Sequence, residues 1–177
     1  MAVPTLEARP RTEFVTIQGK SGWAQLDKPD TKFNPDGKWT QKIYPNAESL
    51  EKVNKLIEKG IKNKLNKDDD GYYISFHRPT QKAYMGRWKA LEPPMIEDQN
   101  GNPLPRTTRF GFGSDITVTV EVYYSRPRPS ADYVASARLA VVRLDNIVPY
   151  TRAEYSDKEL RAVKSLDKVP PPTTDGW

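Results

Sequence analysis

The strongest pattern in the sequence is the alternation of apolar and polar side chains along residues 115–124. One parity carries only β-branched apolar residues, namely Ile116, Val118, Val120 and Val122. A period of two predicts an extended strand with one buried face and one polar face. Shorter stretches of similar character predict further strands at residues 13–18, 39–44, 72–78, 82–89 and 137–148. The chain is therefore expected to be mainly β.

One segment has a helical period instead. Within residues 46–65 the apolar side chains recur at steps of three and four and share one stripe: Leu50, Val53, Ile57, Ile61 and Leu65. Asn46 precedes the first turn and is a suitable N-cap. A single helix inserted after the second strand, with corners rich in Gly and Pro, predicts a small barrel of five to six strands. The candidate architecture is the oligonucleotide- and oligosaccharide-binding (OB) fold.

The chain divides into three expected parts. Residues 1–12 contain two prolines and no periodicity, which predicts a flexible N-terminal arm. Residues 13–155 hold the predicted strands and helix and form the expected OB-fold domain. Residues 156–177 are predicted to be weakly helical and then to form a Pro-rich C-terminal tail. Within the domain, residues 28–38 are expected to be a polar loop.

Composition excludes several classes of protein. No apolar run approaches the roughly 18 residues that a membrane span needs, and residues 1–11 lack the apolar segment of a signal peptide. The sequence has no cysteine, which removes disulfides, thiolate nucleophiles and zinc ribbons. A protein of this composition is expected in a reducing cytoplasm.

Residues suited to catalysis are scarce. His77 is the only histidine and lies within a predicted strand. Residues 110–114 (FGFGS) contain a Gly-x-Gly pair, but a strand follows where a dinucleotide site needs a helix. Residues 66–77 (NKDDDGYYISFH) imitate an EF-hand calcium loop, yet His77 stands where a bidentate glutamate is required. We expect an acidic turn there, no metal, no cofactor and no enzymatic activity. The least favoured alternative is a magnesium-dependent phosphoryl-transfer enzyme that uses residues 68–70.

Aromatic and basic side chains are interleaved in residues 20–44, 72–89 and 106–112. The net charge is +5, and the basic surplus lies mainly in residues 1–66. Binding of single-stranded nucleic acid needs flat side chains on which bases stack and cations that follow the phosphates. The predicted stacking residues are Phe33, Tyr44, Tyr73 and Trp88, with Trp39 and Phe112 as further aromatic candidates. The predicted phosphate contacts are Lys28, Lys32, Lys38, Lys42, Arg78, Arg87 and Arg109.

Aromatic residues also fill the interior of barrels, so strand parity is needed to separate the two roles. A core position is favoured for the aromatic residues that share parity with apolar neighbours, namely Phe14, Trp39, Tyr72 and Phe76. Lys42 and Tyr44 lie on the face opposite Ile43, and Tyr73 and His77 lie opposite Ile74. If these two strands pair, Lys42, Tyr44, Tyr73 and His77 are expected to point outward together.

Several short motifs occur in a characteristic order: KPD at 28–30, GKW at 37–39, IYPN at 43–46, GFGS at 111–114, YY at 123–124, ASARL at 135–139 and DNIV at 145–148. In this order they resemble the replication single-stranded DNA-binding proteins of tailed bacteriophages, which have an OB barrel with a helix after its second strand. The resemblance covers roughly residues 13–150. It implies sequence-tolerant binding of single-stranded DNA in phage DNA replication or recombination, in the host cell cytoplasm. It also implies an outer groove of aromatic and basic residues, no metal or cofactor, and often a homodimer.

The C-terminus departs from the pattern of that family. Such proteins usually end in a strongly acidic tail, often with a terminal aromatic residue, that recruits polymerase and competes with DNA for the groove. Here only Asp167 and Asp175 are acidic in the last stretch, although Trp177 is a terminal aromatic residue. Contact with replication proteins through the tail is thus an open expectation. The alternative function is a β-barrel module for protein interaction or virion assembly that binds no nucleic acid.

Overall fold

The computed structural model describes residues 10–30, 37–126 and 128–149. In chain order their elements are β1 (Glu13–Asp30), β2 (Lys38–Pro45), α1 (Ala47–Glu58), β3 (Asn66–Asp68), β4 (Gly71–Pro79), β5 (Gln81–Tyr84), β6 (Arg87–Ala90), β7 (Met95–Asp98), β8 (Asp115–Ser125) and β9 (Val134–Asn146). The protein is mainly β with a helix after its second strand, which confirms the predicted fold class.

Seven strands form one sheet in the order β3-β4-β2-β1-β8-β9-β7. Neighbouring strands pair antiparallel except β7 and β9, which run parallel. β4 contacts β9 although β2, β1 and β8 lie between them in the sheet order. The sheet therefore curls into an OB-like barrel that backbone hydrogen bonds do not close. It has seven strands rather than the expected five to six.

The core lies on the inner face of this sheet. The apolar parity of β8 that the sequence showed is buried there, with Val118, Val120 and Val122 fully covered. Opposite them lie the fully buried side chains of Ile43 and Phe76. α1 contributes Val53 and Leu56 to the same cluster.

Two of the four aromatic residues that parity placed in the core are exposed instead. Trp39 and Phe76 are buried as expected, whereas Phe14 is 65% exposed and Tyr72 is 47% exposed. Phe14 pairs with Glu121, which lies on the polar parity of β8. Tyr72 pairs with Lys67 of the short edge strand β3, which has no buried side chain to cover it.

α1 begins as predicted but ends earlier than the predicted helix of residues 46–65. Asn46 is the N-cap, and its Oδ1 accepts a 2.8 Å hydrogen bond from the first-turn amide of Ser49. The helix ends before Gly60, whose φ of 106° lies outside the helical region and is readily adopted only by glycine. The amide of Ile61 donates back to the carbonyl of Leu56, which completes a Schellman motif. The residues after Gly60 therefore form a loop rather than two further helical turns.

Other boundaries also differ from the sequence prediction. β1 continues through Asp30, so residues 28–30 are strand rather than loop. The predicted strand at residues 82–89 is a two-stranded hairpin, because Met85 and Gly86 both have positive φ and form a turn. A turn at residues 99–101 follows β7, and Pro103 then forms an isolated bridge with Glu97. β3 and β7 were not predicted, and β9 spans Val134–Asn146 rather than residues 137–148.

Three predicted features lie outside the described residues. They are most of the N-terminal arm, the C-terminal tail, and the part of the loop that carries Lys32 and Phe33. Within the described residues, no helix has the length and apolar character needed to cross a membrane.

Candidate nucleic-acid interface

β2 and β4 pair antiparallel and present one continuous outer face. Their register places Thr40 opposite His77 and Lys42 opposite Ser75. Directly opposed residues project to the same side of a sheet. The outer face therefore carries Lys38, Thr40, Lys42 and Tyr44 from β2 and Tyr73, Ser75 and His77 from β4. We call this set the β2–β4 face. The predicted outward grouping of Lys42, Tyr44, Tyr73 and His77 is confirmed.

Lys42, Tyr44 and Tyr73 form a compact group at one end of this face, which we call the tyrosine cluster. The two ring centroids lie 5.7 Å apart, and the rings are inclined by 60°. The Nζ atom of Lys42 lies 4.0 Å from the Tyr73 centroid and 5.2 Å from the Tyr44 centroid. All three side chains are half-buried. The cluster combines aromatic rings with a cation, as binding of single-stranded nucleic acid requires.

Asp68, the last residue of β3, orients the tyrosine cluster. The Tyr44 hydroxyl donates a 2.6 Å hydrogen bond to Asp68 Oδ2, and Lys42 Nζ lies 3.4 Å from the same oxygen. Partial burial and the bond to Asp68 raise the pKa of Tyr44, so its hydroxyl remains a donor. Burial acts to raise the pKa of Asp68, but hydrogen bonds from Tyr44 and from the Asp70 amide, together with the Lys42 charge, lower it overall. The ionised carboxylate therefore holds both side chains before any ligand binds.

Gly22 of β1 leaves room for the tyrosine cluster to lie across the neighbouring strand. A Cβ atom at this position would lie 2.9 Å from the Lys42 side chain and 3.2 Å from the Tyr44 ring. The register of β1 against β2 also shifts between Ser21 and Ala24, which marks a bulge at the same place. A side chain larger than hydrogen would displace the cluster.

An open groove with a volume of ≈ 310 Å³ lies beside the tyrosine cluster. Its lining comes from β4 and from the loop after α1, and consists of Lys62, Asn63, Lys64, Asn66, Tyr73, Ser75 and His77. Asn63 fixes the loop by donating a 2.7 Å hydrogen bond to the Ser75 carbonyl. Lys62 and Lys64 are exposed at the groove. Sequence reasoning missed these two lysines because it assigned them to the last turns of a helix. The signal that could have identified them is Gly60, a common helix terminator.

His77 is a neutral polar residue of this groove rather than a cation. Its Nδ1 lies 2.9 Å from the Thr40 hydroxyl. Burial lowers the pKa of His77 to about 4, and the nearby positive charge of Lys38 acts in the same direction. At neutral pH the positive charge of the groove therefore comes from its lysines.

The free energy of unfolding is expected to fall as the pH drops from 6.5 toward about 4, because of His77. The pKa of His77 is near 6.5 in the unfolded chain and about 4 in the folded chain, so between these two pH values protonation of His77 favours the unfolded chain. The full difference in the pKa of His77 corresponds to a loss of about 3 kcal/mol in the free energy of unfolding. Urea unfolding at about pH 7 and about pH 4.5 measures it. His77→Gln should remove most of the loss, and an equal loss in wild type and variant would contradict this assignment.

Trp39 and Arg78 were predicted to contact DNA, but they lie on the inner side of the strands that carry the β2–β4 face. The two residues oppose each other in the register. Trp39 is only 5% exposed, so its ring offers no face to a base. The Arg78 guanidinium donates to the main-chain carbonyls of Glu92 and Leu139, the second at 3.2 Å. Arg78 thus ties β4 to β9 where the barrel lacks backbone hydrogen bonds.

The other predicted contacts that the structure describes are dispersed. Lys38 begins the β2–β4 face at the end away from the tyrosine cluster, and Lys28 is exposed near the end of β1. Arg109 is exposed beside a second cleft of ≈ 130 Å³ between β1 and the segment before β8. Phe112 is half-buried in that segment, and Arg87 and Trp88 lie on the β5–β6 hairpin. Of the predicted contacts that the structure describes, only Lys42, Tyr44 and Tyr73 therefore lie close together.

The acidic stretch after α1 is a hairpin turn, as expected. Asp68 Oδ1 accepts a 2.8 Å hydrogen bond from the Asp70 amide, and β3 and β4 pair on either side. In the parts of the chain that the structure describes, no group of three or more His, Cys, Asp or Glu side chains is close enough to hold a metal ion.

Comparison with solved structures identifies proteins of similar fold. The single-stranded DNA-binding protein gp2.5 of bacteriophage T7 aligns with a TM-score of 0.57 and 13% identity, covering 94% of this chain and 98% of that protein. The single-stranded DNA-binding protein of bacteriophage Enc34, in complex with single-stranded DNA, aligns with a TM-score of 0.53 and 11% identity, covering 78% and 89%. No protein-family model and no curated sequence matches the chain. The chain thus has the fold of phage single-stranded DNA-binding proteins, which confirms the resemblance predicted from its motifs at the level of fold.

Proposed function

We propose that the protein is a sequence-tolerant single-stranded DNA-binding protein that acts in phage DNA replication or recombination. The observation that carries the proposal is the tyrosine cluster beside a lysine-lined groove on one outer face of an OB-like barrel. The likeness to phage proteins with that activity supports it at the level of fold.

Stacking and charge contribute different parts of the binding energy. Bases stack on Tyr44 and Tyr73, and stacking is tolerant of sequence because every base has a π face. Phosphates follow the exposed amines of Lys62 and Lys64 and the cation of Lys42. Asp68 keeps the Tyr44 ring in position but also places a negative charge at one end of the face. The phosphate path is therefore expected to run on the loop side of the groove, away from the acidic turn.

We extend this proposal to the protein's activity, location and partners. The protein is a binder rather than an enzyme, needs no cofactor, and works in the host cell cytoplasm. A homodimer and contacts with replication proteins through the C-terminal tail are further proposed partners.

A protein-interaction or virion assembly module is the alternative function. It is favoured by large apolar side chains that remain uncovered elsewhere on the sheet, with Phe14 65% exposed on β1 and Met95 50% exposed on β7. Such a protein would form a stable assembly and ignore oligonucleotides. Light scattering with and without an oligonucleotide separates the two functions.

Fluorescence anisotropy of a labelled thymine oligonucleotide tests the proposed function. We expect binding at low salt, with the logarithm of the association constant falling by about 0.7 per phosphate contact for each logarithmic unit of salt. A duplex of equal length should bind much more weakly, because its bases cannot reach the tyrosine rings. Absence of binding to either nucleic acid at low salt would reject the proposal in favour of the protein-interaction module.

A further inference from the structure

β5 and β6 form a separate two-stranded sheet, which we call the ribbon. Its tip is a two-residue turn in which Met85 has a φ of 50° and Gly86 a φ of 78°. Positive φ at both positions is the type I′ geometry that suits a tight hairpin. Met85 is 84% exposed and Trp88 is 70% exposed. The ribbon therefore projects from the barrel and carries large apolar side chains in solvent.

One face of the ribbon is cationic. Its register places Lys82 directly opposite Lys89, and Arg87 shares the face of Lys89 because the two are separated by one residue. Residues 79–91 contain no acidic side chain. Like charges directly opposite each other destabilise a strand pair, and an isolated two-stranded hairpin is only marginally stable in water. Its cations are of the kind that contact phosphates.

The other face of the ribbon carries an exposed indole. Trp88 is opposed by Ala83, whose small side chain leaves the large ring uncovered. A cationic face and a flat aromatic ring on the same short element repeat the two ingredients of the tyrosine cluster. Both faces are suited to the same kind of ligand, a strand with phosphates and unpaired bases.

The ribbon continues directly from the β2–β4 face. Lys38, the first residue of that face, pairs with Pro79 at the end of β4. The next residue, Thr80, accepts a 2.8 Å hydrogen bond from the Leu91 amide, which closes the base of the ribbon. The tyrosine cluster lies at the opposite end of β4. A strand that runs along the face from Tyr73 past His77 therefore arrives at the ribbon.

We propose that the ribbon is a second subsite for the same nucleic-acid strand, which binds the nucleotides that extend beyond the β2–β4 face. This inference rests on the proposed function and adds to it a dependence on ligand length. A short oligonucleotide occupies the tyrosine cluster and groove alone, whereas a longer one also reaches the ribbon. The ribbon then sets the length of the binding footprint, and its amides are protected when a long strand binds.

Affinities for two thymine oligonucleotides, of roughly 5 and roughly 16 nucleotides, test this proposal. Trp88→Ala and Arg87→Gln should each weaken binding of the long oligonucleotide by roughly five-fold or more, while binding of the short one changes less than about two-fold. Lys55→Gln, which removes an exposed cation from α1, is the control for net charge.

Amide hydrogen exchange of the wild-type chain provides a measurement that needs no variant. Amides of residues 81–90 should gain protection with the long oligonucleotide and not with the short one. Equal losses of affinity for both oligonucleotides, or no loss and no protection, would overturn the ribbon subsite while leaving the proposed function in place. A wild-type chain that binds neither oligonucleotide would overturn both.

Discussion

Replacement of Tyr44 and Tyr73 together by alanine is expected to weaken binding of single-stranded DNA by about 2–6 kcal/mol, because each ring stacks one base. This corresponds to a loss of affinity of roughly thirty-fold or more. The loss should persist at high salt, since stacking does not depend on counterion release. Anisotropy titrations of a short thymine oligonucleotide at two salt concentrations measure the effect. Phenylalanine at both positions should retain most of the affinity.

Tyr72→Ala is the matched control for this experiment. Tyr72 precedes Tyr73 in the chain and is 47% exposed, but it points to the opposite side of β4. The same loss in the Tyr72 variant would show that stacking is not confined to the β2–β4 face. An unchanged affinity in the double variant would place the DNA on another surface, and circular dichroism of both variants checks that the fold is intact.

The composition of the β2–β4 face could be predicted from the sequence because it depends only on strand parity. Tyr44 differs in parity from the fully buried Ile43, and Tyr73 from the fully buried Ile74. A register slip by one residue would bury the polar set and expose the apolar set, so the buried residues fix which side chains face outward. The pairing of β2 with β4 then brings the two tyrosines together.

The groove could not be predicted in the same way, because its lysines depend on where a helix ends. The apolar spacing continues through Ile61 and Leu65, which pack against the core from a loop. Local capping at Gly60 overrides this periodicity. Lys62 and Lys64 thereby lie at the rim of the groove beside the tyrosine cluster rather than on the exposed side of an expected helix.

The hairpin at residues 81–90 shows a second limit of strand parity. Alternation is compatible with one continuous strand and with two short strands joined by a tight turn. Gly86 indicates a turn, but the turn also needs a positive φ at Met85, which is uncommon for a residue other than glycine. The sequence therefore did not predict the turn. The turn reverses the chain and places Lys82 directly opposite Lys89. In one continuous strand these two residues would lie far apart.

Arg78→Met is expected to lower the free energy of unfolding by about 2–4 kcal/mol, because it removes charge-assisted hydrogen bonds to two main-chain carbonyls. For a chain of this length the loss corresponds to a fall in Tm of roughly 5–15 °C. The affinity of the folded variant for single-stranded DNA should change less than about two-fold, since the side chain lies on the inner side of β4. Thermal unfolding and anisotropy titration of the same sample measure both quantities.

Arg87→Met is the matched comparison, because the sequence predicted the same phosphate contact for both arginines. Arg87 is exposed on the ribbon rather than on a strand of the barrel. Its loss should leave Tm almost unchanged and weaken binding of long oligonucleotides. The opposite result, a stable Arg78 variant with at least ten-fold weaker DNA binding, would restore Arg78 as a phosphate contact. Two arginines that look equivalent in the sequence are thus expected to act differently, Arg78 in closing the barrel and Arg87 in contacting a long strand.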